Sequence, residues 1–372
     1  MSLANYYVGL MSGTSADAVD AVIVDFSGDK LALIASYSTP LSQNLRLKIH
    51  ALATPSHNEI DRLGELDQEL GELFATSINE LIKNNNLPCK SIMAIGSHGQ
   101  TIRHRPPGSV QHPFTIQIGD PNIIAQRTGI TTVADFRRRD MAAGGHGAPL
   151  VPAFHRALFY KADMDRVIIN IGGMANITWL PTTGDAIGFD TGPGNVLMDA
   201  WMLQNQNKAY DTNGDWAASG QAHQELLQQL LQHSFFRQPP PKSTGRETFN
   251  SHWLEAEIAR LKITPKANDI QATLLLLTAT SIADCINTLT QSSTEVFVCG
   301  GGAYNLRLMN ELKLQLPKSK IASTAALGIA PEWVEAIAFA WLAKQTMNRQ
   351  NGNLRAVTGA REEVILGGVY FA

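Results

Sequence analysis

Apolar residues at the start of the chain come in strand-length runs separated by small polar residues. Tyr6–Met11, Val19–Phe26 and Leu31–Tyr37 read as three strands, with turn signals at Gly13 and at Ser27, Gly28 and Asp29. The period then changes. Ile60, Leu63, Leu66, Leu70, Leu73 and Phe74 recur at helical spacing behind a capping-box pattern from Ser56 to Glu59. This predicts the second of two helices, ending near Lys83 at Asn84, Asn85 and Asn86. Strands at Ser91–Gly96, Phe114–Ile118 and Thr131–Ala134 follow, with a helix over Pro121–Thr128. Residues 135–149 are polar and glycine-rich and read as a functional loop between two lobes, closed by a helix over Val151–Phe159.

The pattern then starts again. Val167–Ile171, Asn176–Leu180 and Ala186–Phe189 read as strands, the first two joined by a turn at Gly172 and Gly173. Helices are predicted over Val196–Gln204, His223–His233, Trp253–Leu261 and Ile270–Leu289. Residues 237–250, with Pro239, Pro240 and Pro241, form an irregular connection. Glu295–Cys299 is a buried strand that runs into Gly300, Gly301 and Gly302 and a helix from about Asn305. Pro331 suits the first position of a helix reaching Met347, and Val364–Phe371 reads as a strand able to return to the first lobe. Strands meander and helices follow, twice. That predicts a duplicated α/β unit with mixed sheets and a cleft between two lobes.

Composition narrows the function classes. A chain of 372 residues with 44% hydrophobic content is long enough for two domains and a large core. A net charge of -3 gives no nucleic-acid footprint, and the run Arg137–Arg139 is too short to change that. Cys89, Cys285 and Cys299 have no paired spacing and fit a reducing compartment. The N-terminus lacks a signal-like segment, and no apolar run is read as membrane-spanning, so no membrane partner and a cytoplasmic location are expected.

Candidate chemistry begins at residues 9–21 (GLMSGTSADAVDA). A small, hydroxyl-rich turn between two strands exposes backbone N–H groups to an anion, and Asp17 and Asp20 could hold a cation against it. That describes a cradle for nucleotide phosphates and Mg²⁺; it equally describes a polar hairpin, since no Gly-Lys-Ser/Thr phosphate loop is present. Asp190 ends a strand beside glycines, so it either takes a proton from a hydroxyl or water, or caps the helix that follows. Gly300–Gly302 exceed what a tight turn needs and favour close ligand approach. His98 and His104 fit no zinc spacing and read as hydrogen-bonding or loop polarity. Ser12, Thr14 and Ser15 lack a nucleophile elbow and read as phosphate-facing. Glu332 and Glu335 either complement a helix dipole or face the cleft.

Eight segments, taken in order, carry a resemblance. They are 9–20 (GLMSGTSADAVD), 97–104 (SHGQTIRH), 135–137 (DFR), 143–150 (AGGHGAPL), 170–177 (NIGGMANI), 188–195 (GFDTGPGN), 299–303 (CGGGA) and 335–341 (EAIAFAW). Over nearly the whole chain they are similar to the anhydro-N-acetylmuramic acid kinases of bacterial cell-wall recycling. The resemblance implies the fold of the actin-like, sugar-kinase and heat-shock ATPase superfamily: α/β, two duplicated ribonuclease-H-like lobes with an inter-lobe cleft. The lobes are expected at 1–131 with about 355–372, and at 132–354 with helical insertions. The implied reaction converts 1,6-anhydro-N-acetylmuramic acid, ATP and water to N-acetylmuramic acid 6-phosphate and ADP.

The resemblance also implies roles. Gly13, Thr14, Ser15, Ala16, Asp17, Ala18, Val19 and Asp20 would bind ATP, with Asp17 near Mg²⁺. Gly172 and Gly173 would be the second phosphate turn, and Gly300, Gly301 and Gly302 the adenosine-side turn. Asp190 would activate water. His98, Gln100, Thr101, Arg137 and Glu335 would bind the amino sugar, with Arg137 suited to its lactyl carboxylate. A homodimer is also implied. Ala16 and Ala18 stand where the family shows a larger apolar residue and Gly, and His146 where Gln is usual. The alternatives are a kinase for another sugar or acyl substrate, and an ATP-switched binding module. The latter needs a peptide-binding appendage, for which the segment ending at Ala372 is expected to leave no room.

Overall fold

The chain divides into two units, residues 1–154 with 333–372, and residues 155–332. The computed structural model describes residues 5–13, 16–28, 31–290 and 293–372. In chain order, the first unit contains β1 (Tyr6–Ser12), β2 (Ala18–Asp25), β3 (Ala32–Pro40), β4 (Ile92–Ser97), β5 (Gln100–Arg105), β6 (Phe114–Ile118) and β7 (Thr132–Ala134). The second contains β8 (Arg166–Ile171), β9 (Met174–Leu180), β10 (Ile187–Pro193), β11 (Glu295–Cys299) and β12 (Lys320–Ser323). The last strand, β13 (Gly368–Tyr370), pairs with β7 in the first unit, as its sequence position predicted.

In the first unit, β1, β2 and β3 meander antiparallel, and β4 and β7 add in parallel beside β1. The sheet order is β13-β7-β4-β1-β2-β3, and β5 and β6 form a separate hairpin. Side chains alternate across a strand, so Val8 and Leu10 share one face and Gly9 looks the other way. Val8 and Leu10 join a core with Leu66, Leu70, Phe74, Ile78 and Leu81 of the helix Glu59–Asn84. Each such side chain contributes about 1.5–3 kcal/mol by burial. Glu59 starts that helix and accepts from the Ser56 N–H, one half of the expected capping box. On the Gly9 face lies the helix Val334–Met347, against β1 and β4. It lies so close that a Cβ on Gly9 would sit 1.8 Å from the Ala336 carbonyl oxygen, and one on Gly96 2.0 Å from that of Phe339.

This packing moves the boundary between the lobes. Residues 132–154 and 333–354, expected in the second lobe, cluster with the first unit. The reason is tertiary: β7 is laddered to β4, and the helix Val334–Met347 covers β1 and β4. Within 135–149, the expected loop contains a helix, Phe136–Ala142.

In the second unit, β8, β9 and β10 meander antiparallel, and β11 and β12 add in parallel beside β8. The order β10-β9-β8-β11-β12 repeats β3-β2-β1-β4-β7 in both sequence and sense. The ribonuclease-H-like unit is therefore present twice. The helix Ala267–Leu289 is 23 residues long and, contrary to the sequence expectation, apolar enough by length and composition to cross a membrane. Its Ile270, Leu274, Leu277 and Ile282 are instead buried in this unit's core. Its Thr278 hydroxyl donates to the carbonyls of Pro193 (3.1 Å) and Gly194 (2.9 Å), which fixes the end of β10.

Candidate active site

The first unit gathers polar groups at the carboxyl ends of β1 and β4. The Ser12 hydroxyl donates to Gln100 Oε1 at 2.6 Å, and Gln100 Nε2 donates to the carbonyls of Gly13 and Thr101 at 3.2 Å each. Gln100 is thus committed to shaping the β1–β2 turn. Thr14 and Ser15 lie outside the described residues. Ala16 adopts a left-handed φ of 53° and donates its N–H to Gly13 O, while Ala18 begins β2. The strained alanine is therefore Ala16, and Ala18 needs no glycine-like backbone. Val19 is fully buried in the core, so only its backbone is available to a ligand. Asp17 pairs with Arg46 at 3.2 Å, with both side chains 46–63% exposed. Asp20 accepts from the Ser38 hydroxyl at 2.7 Å. Among the described residues, no group of three or more His, Cys, Asp or Glu could hold a metal ion.

His98 follows β4 and packs against Phe339 in a tilted arrangement with ring centroids 4.7 Å apart. Arg137 Nη2 donates to its Nε2 at 2.8 Å, and Arg137 Nη1 donates to the Gly147 carbonyl at 2.9 Å. A guanidinium cannot accept, so His98 is a neutral imidazole with its proton on Nδ1. Burial, reinforced by the neighbouring Arg137 charge, pushes the His98 pKa down to about 3. Burial likewise pulls Arg137 down to about 10, against the opposing fields of Glu335 and Asp140. Asp140 is a fully buried hub that no local pattern marked. It accepts from Gly147 N, Asn353 Nδ2 and the Thr358 hydroxyl at 2.7–2.8 Å, and so holds the 144–147 loop. Thr101, Gln117, Thr115 and His104 form a ladder of side-chain bonds at 2.7–3.1 Å. His104 is held down to about 4 by burial and by the charges of Arg137, His146 and Arg105. Among the described residues, buried Ser97 Oγ, His98 Nδ1 and Arg137 Nε have no hydrogen-bond partner. Buried polar atoms are normally satisfied, so three at one place fit a polar ligand.

The second unit is built differently. Gly172 and Gly173 join β8 to β9, and their carbonyls accept from the N–H groups of Gly194, Asn195 and Val196 at 2.8–3.1 Å. A Cβ on Gly172 would meet only Met174 O at 3.7 Å, and one on Gly173 only Arg246 Nη2 and Val196 Cβ, both at 3.9 Å. The outer face of this turn, beside the start of the helix Val196–Gln206, is open, which leaves room for close ligand approach. The triple glycine divides. A Cβ on Gly300 or Gly302 would strike Asn170 or Ile171 at 2.4–2.5 Å, so both are required by packing. Only Gly301 has an open face, with Asn195 Nδ2 at 3.7 Å. Among the described residues, buried Asn170 Oδ1, Thr244 Oγ1 and Thr324 Oγ1 have no hydrogen-bond partner.

Asp190 lies in β10, where the register slips between Asp190 and Gly192. Its Oδ2 accepts from Thr244 N at 2.9 Å and its own N–H donates to Lys242 O at 3.0 Å. Burial pushes its pKa up to about 7; the Thr244 bond opposes this, Glu247 adds to it and Lys242 opposes it. These partners come from the 237–250 stretch that the sequence marked only as irregular. The signal available there was its run of polar residues, 242–247 (KSTGRE), directly after the prolines.

Comparison with known proteins agrees along the full length. The sequence model of the family described as anhydro-N-acetylmuramic acid kinase matches residues 5–372. An anhydro-N-acetylmuramic acid kinase of Saccharophagus degradans is 52% identical over 365 residues, covering 98% of each chain. Those of Coxiella burnetii (52% over 367 residues, 98% of this chain and 97% of theirs) and Shewanella amazonensis (53% over 362 residues, 97% of each) are similarly close.

Proposed function

The chain belongs to the anhydro-N-acetylmuramic acid kinase family, and from that premise we propose how its residues divide the work. It is an ATP-dependent kinase that hydrolytically opens 1,6-anhydro-N-acetylmuramic acid and phosphorylates it to N-acetylmuramic acid 6-phosphate, in cell-wall recycling and amino-sugar breakdown. The observation that carries the assignment of roles is Asp190. A carboxylate poised at about 7 is matched to general-base work at neutral pH. Its Oδ2 is oriented by the Thr244 N–H, which leaves Oδ1 for a water.

In this reading Asp190 takes a proton from water as the water oxygen bonds to the anomeric carbon. The bond from that carbon to the 6-oxygen breaks. The 6-oxygen then bonds to the γ-phosphorus of ATP, and the bond to the bridging oxygen breaks to release ADP. Phosphoryl transfer rests mainly on positioning and charge stabilisation. Residues 13–20, Gly172, Gly173 and Gly300–Gly302 take the nucleotide, with room for close approach at Gly172, Gly173 and Gly301. His98, Thr101, Arg137 and Glu335 take the sugar, with Arg137 toward its lactyl carboxylate, and Gln100 positions the β1–β2 turn.

Mg²⁺ fits in a limited form. It is commonly held by one or two carboxylates together with substrate phosphates, and Asp17, exposed and paired to Arg46, can supply one. Bound there it would neutralise phosphate charge. A homodimer and a cytoplasmic location complete the proposal; light scattering of the purified protein checks the first and cell fractionation the second. The direct test is a coupled ADP assay with the anhydro sugar at saturating Mg-ATP, with mass detection of the phosphosugar. Absence of both products sinks the reading.

A further inference from the structure

Two cations lie on the 242–247 stretch, and their surroundings separate them. Lys242 is buried. Its Nζ donates to the carbonyls of Phe235 (3.3 Å) and Phe236 (3.5 Å) and lies over the Phe235 ring at 4.7 Å. Its charge is used by the fold and by the field at Asp190. Arg246 is exposed, and among the described residues its guanidinium forms no ion pair, although Glu247 is its neighbour in sequence. Its Nη2 is one of the two atoms that would bound a Cβ on Gly173, so the guanidinium overhangs the open face of the β8–β9 turn. We propose that Arg246 is the residue whose guanidinium binds the nucleotide's phosphates at the Gly172–Gly173 turn and stabilises the charge of the transferring phosphoryl group. The assignment rests on the kinase reading above.

The backbone around Arg246 is anchored for such a task. Asn250 Nδ2 donates to the Arg246 carbonyl at 2.9 Å, and the N–H groups of Thr248 and Phe249 donate to Gly245 O at 3.1 Å each. Phe249 packs in an aromatic group with His233, Phe235, Phe236 and Trp253, with ring centroids 5.1–5.7 Å from its own. Two residues before Arg246, Thr244 N holds Asp190 Oδ2. One anchored stretch therefore sets both the carboxylate that takes the proton and the cation over the phosphate turn. A guanidinium is the side chain suited to bidentate contact with phosphate oxygens.

The experiment compares the full-length protein with Arg246→Ala and Arg246→Lys in steady-state kinetics with ATP and the anhydro sugar. Thermal melting is run in parallel. Loss of one preorganised charge donor predicts that Arg246→Ala lowers kcat/KM for ATP roughly 100-fold. Arg246→Lys recovers part of the loss, and added guanidinium ion restores part of the turnover of Arg246→Ala but none of Asp190→Asn. Unaltered melting with this pattern supports the assignment. Normal turnover by Arg246→Ala, or a loss that tracks a lowered melting temperature and is not rescued by guanidinium, overturns it. If the unaltered protein makes no ADP from ATP and the sugar, the kinase reading itself has failed, and that result is distinct from both.

Discussion

The two units repeat one sheet and differ at the same two places. After the first strand, unit one has a five-residue connection, 13–17, with Gly13 O accepting from Gln100 and from Ala16 N. Unit two has only Gly172 and Gly173, with their carbonyls taken by the next helix start and their outer face open. After the fourth strand, unit one presents Ser97 and His98, buried and incompletely bonded. Unit two presents Gly300–Gly302, which offer no side chain at all. In the proposed reading, this difference puts the sugar-contacting side chains of the fourth strand's end in unit one and an open phosphate turn in unit two, although residues 13–20 of unit one also face the nucleotide. Sugars are told apart by directed side-chain hydrogen bonds, whereas phosphates need close backbone and room. One sheet topology supports both because its strand ends are free to vary while its core is not.

Substitutions can break this division, and the largest effect is expected at Asp190. Asp190→Asn keeps nucleotide binding and loses turnover by roughly 10²–10⁴-fold, the range for a general base. Near-normal turnover would remove the base from unit two. His98→Ala is next. It strips Arg137 of an acceptor, and kcat/KM for the sugar should fall by roughly 10–100-fold, a loss of about 1–3 kcal/mol, while KM for ATP stays unchanged. An effect on ATP alone would move His98 from the sugar side to the nucleotide side.

The third test sets two glycines against each other. Gly9→Ala drives a Cβ into the Ala336 carbonyl and should destabilise the first unit by about 1–3 kcal/mol or more. Gly301→Ala meets nothing closer than 3.7 Å and should leave the denaturant midpoint unchanged while weakening ATP binding. Equal losses of stability would mean that both glycines serve packing alone.

The smallest effects are those of pH on stability, and they have opposite signs at His98 and Asp190. His98, held at about 3 against an ordinary 6.5, favours the fold above 6.5, and that stability is lost as pH falls from 6.5 toward 3. Asp190, raised from 3.8 to about 7, favours the fold below 3.8, and that contribution is lost as pH rises toward 7. Asp190→Asn should therefore melt at or above the unaltered protein at pH 8. A lower melting temperature there would contradict a desolvated carboxylate. His98→Gln should flatten the acid side of the melting profile.

Periodicity and local chemistry already contained the strand meanders, the helix Glu59–Asn84, the returning C-terminal strand and the repeated strand–turn–strand block. These depend on neighbours in sequence: alternation, caps and turn residues act within a few positions. The turn at Gly172 was legible for the same reason, whereas Asp190, expected to end a strand, lies inside β10 because the ladder continues past it to Pro193. Long-range packing decided the rest. It set the boundary at 154 and 332, because β7 and the helix Val334–Met347 close on β1 and β4 from far along the chain. It buried Asp140 as a hub and made Gly300 and Gly302 packing residues. It also brought the 242–247 stretch onto Asp190. A pKa near 7 or an arginine over an open turn arises from desolvation and from contacts between residues some fifty or more positions apart, and no local pattern records those.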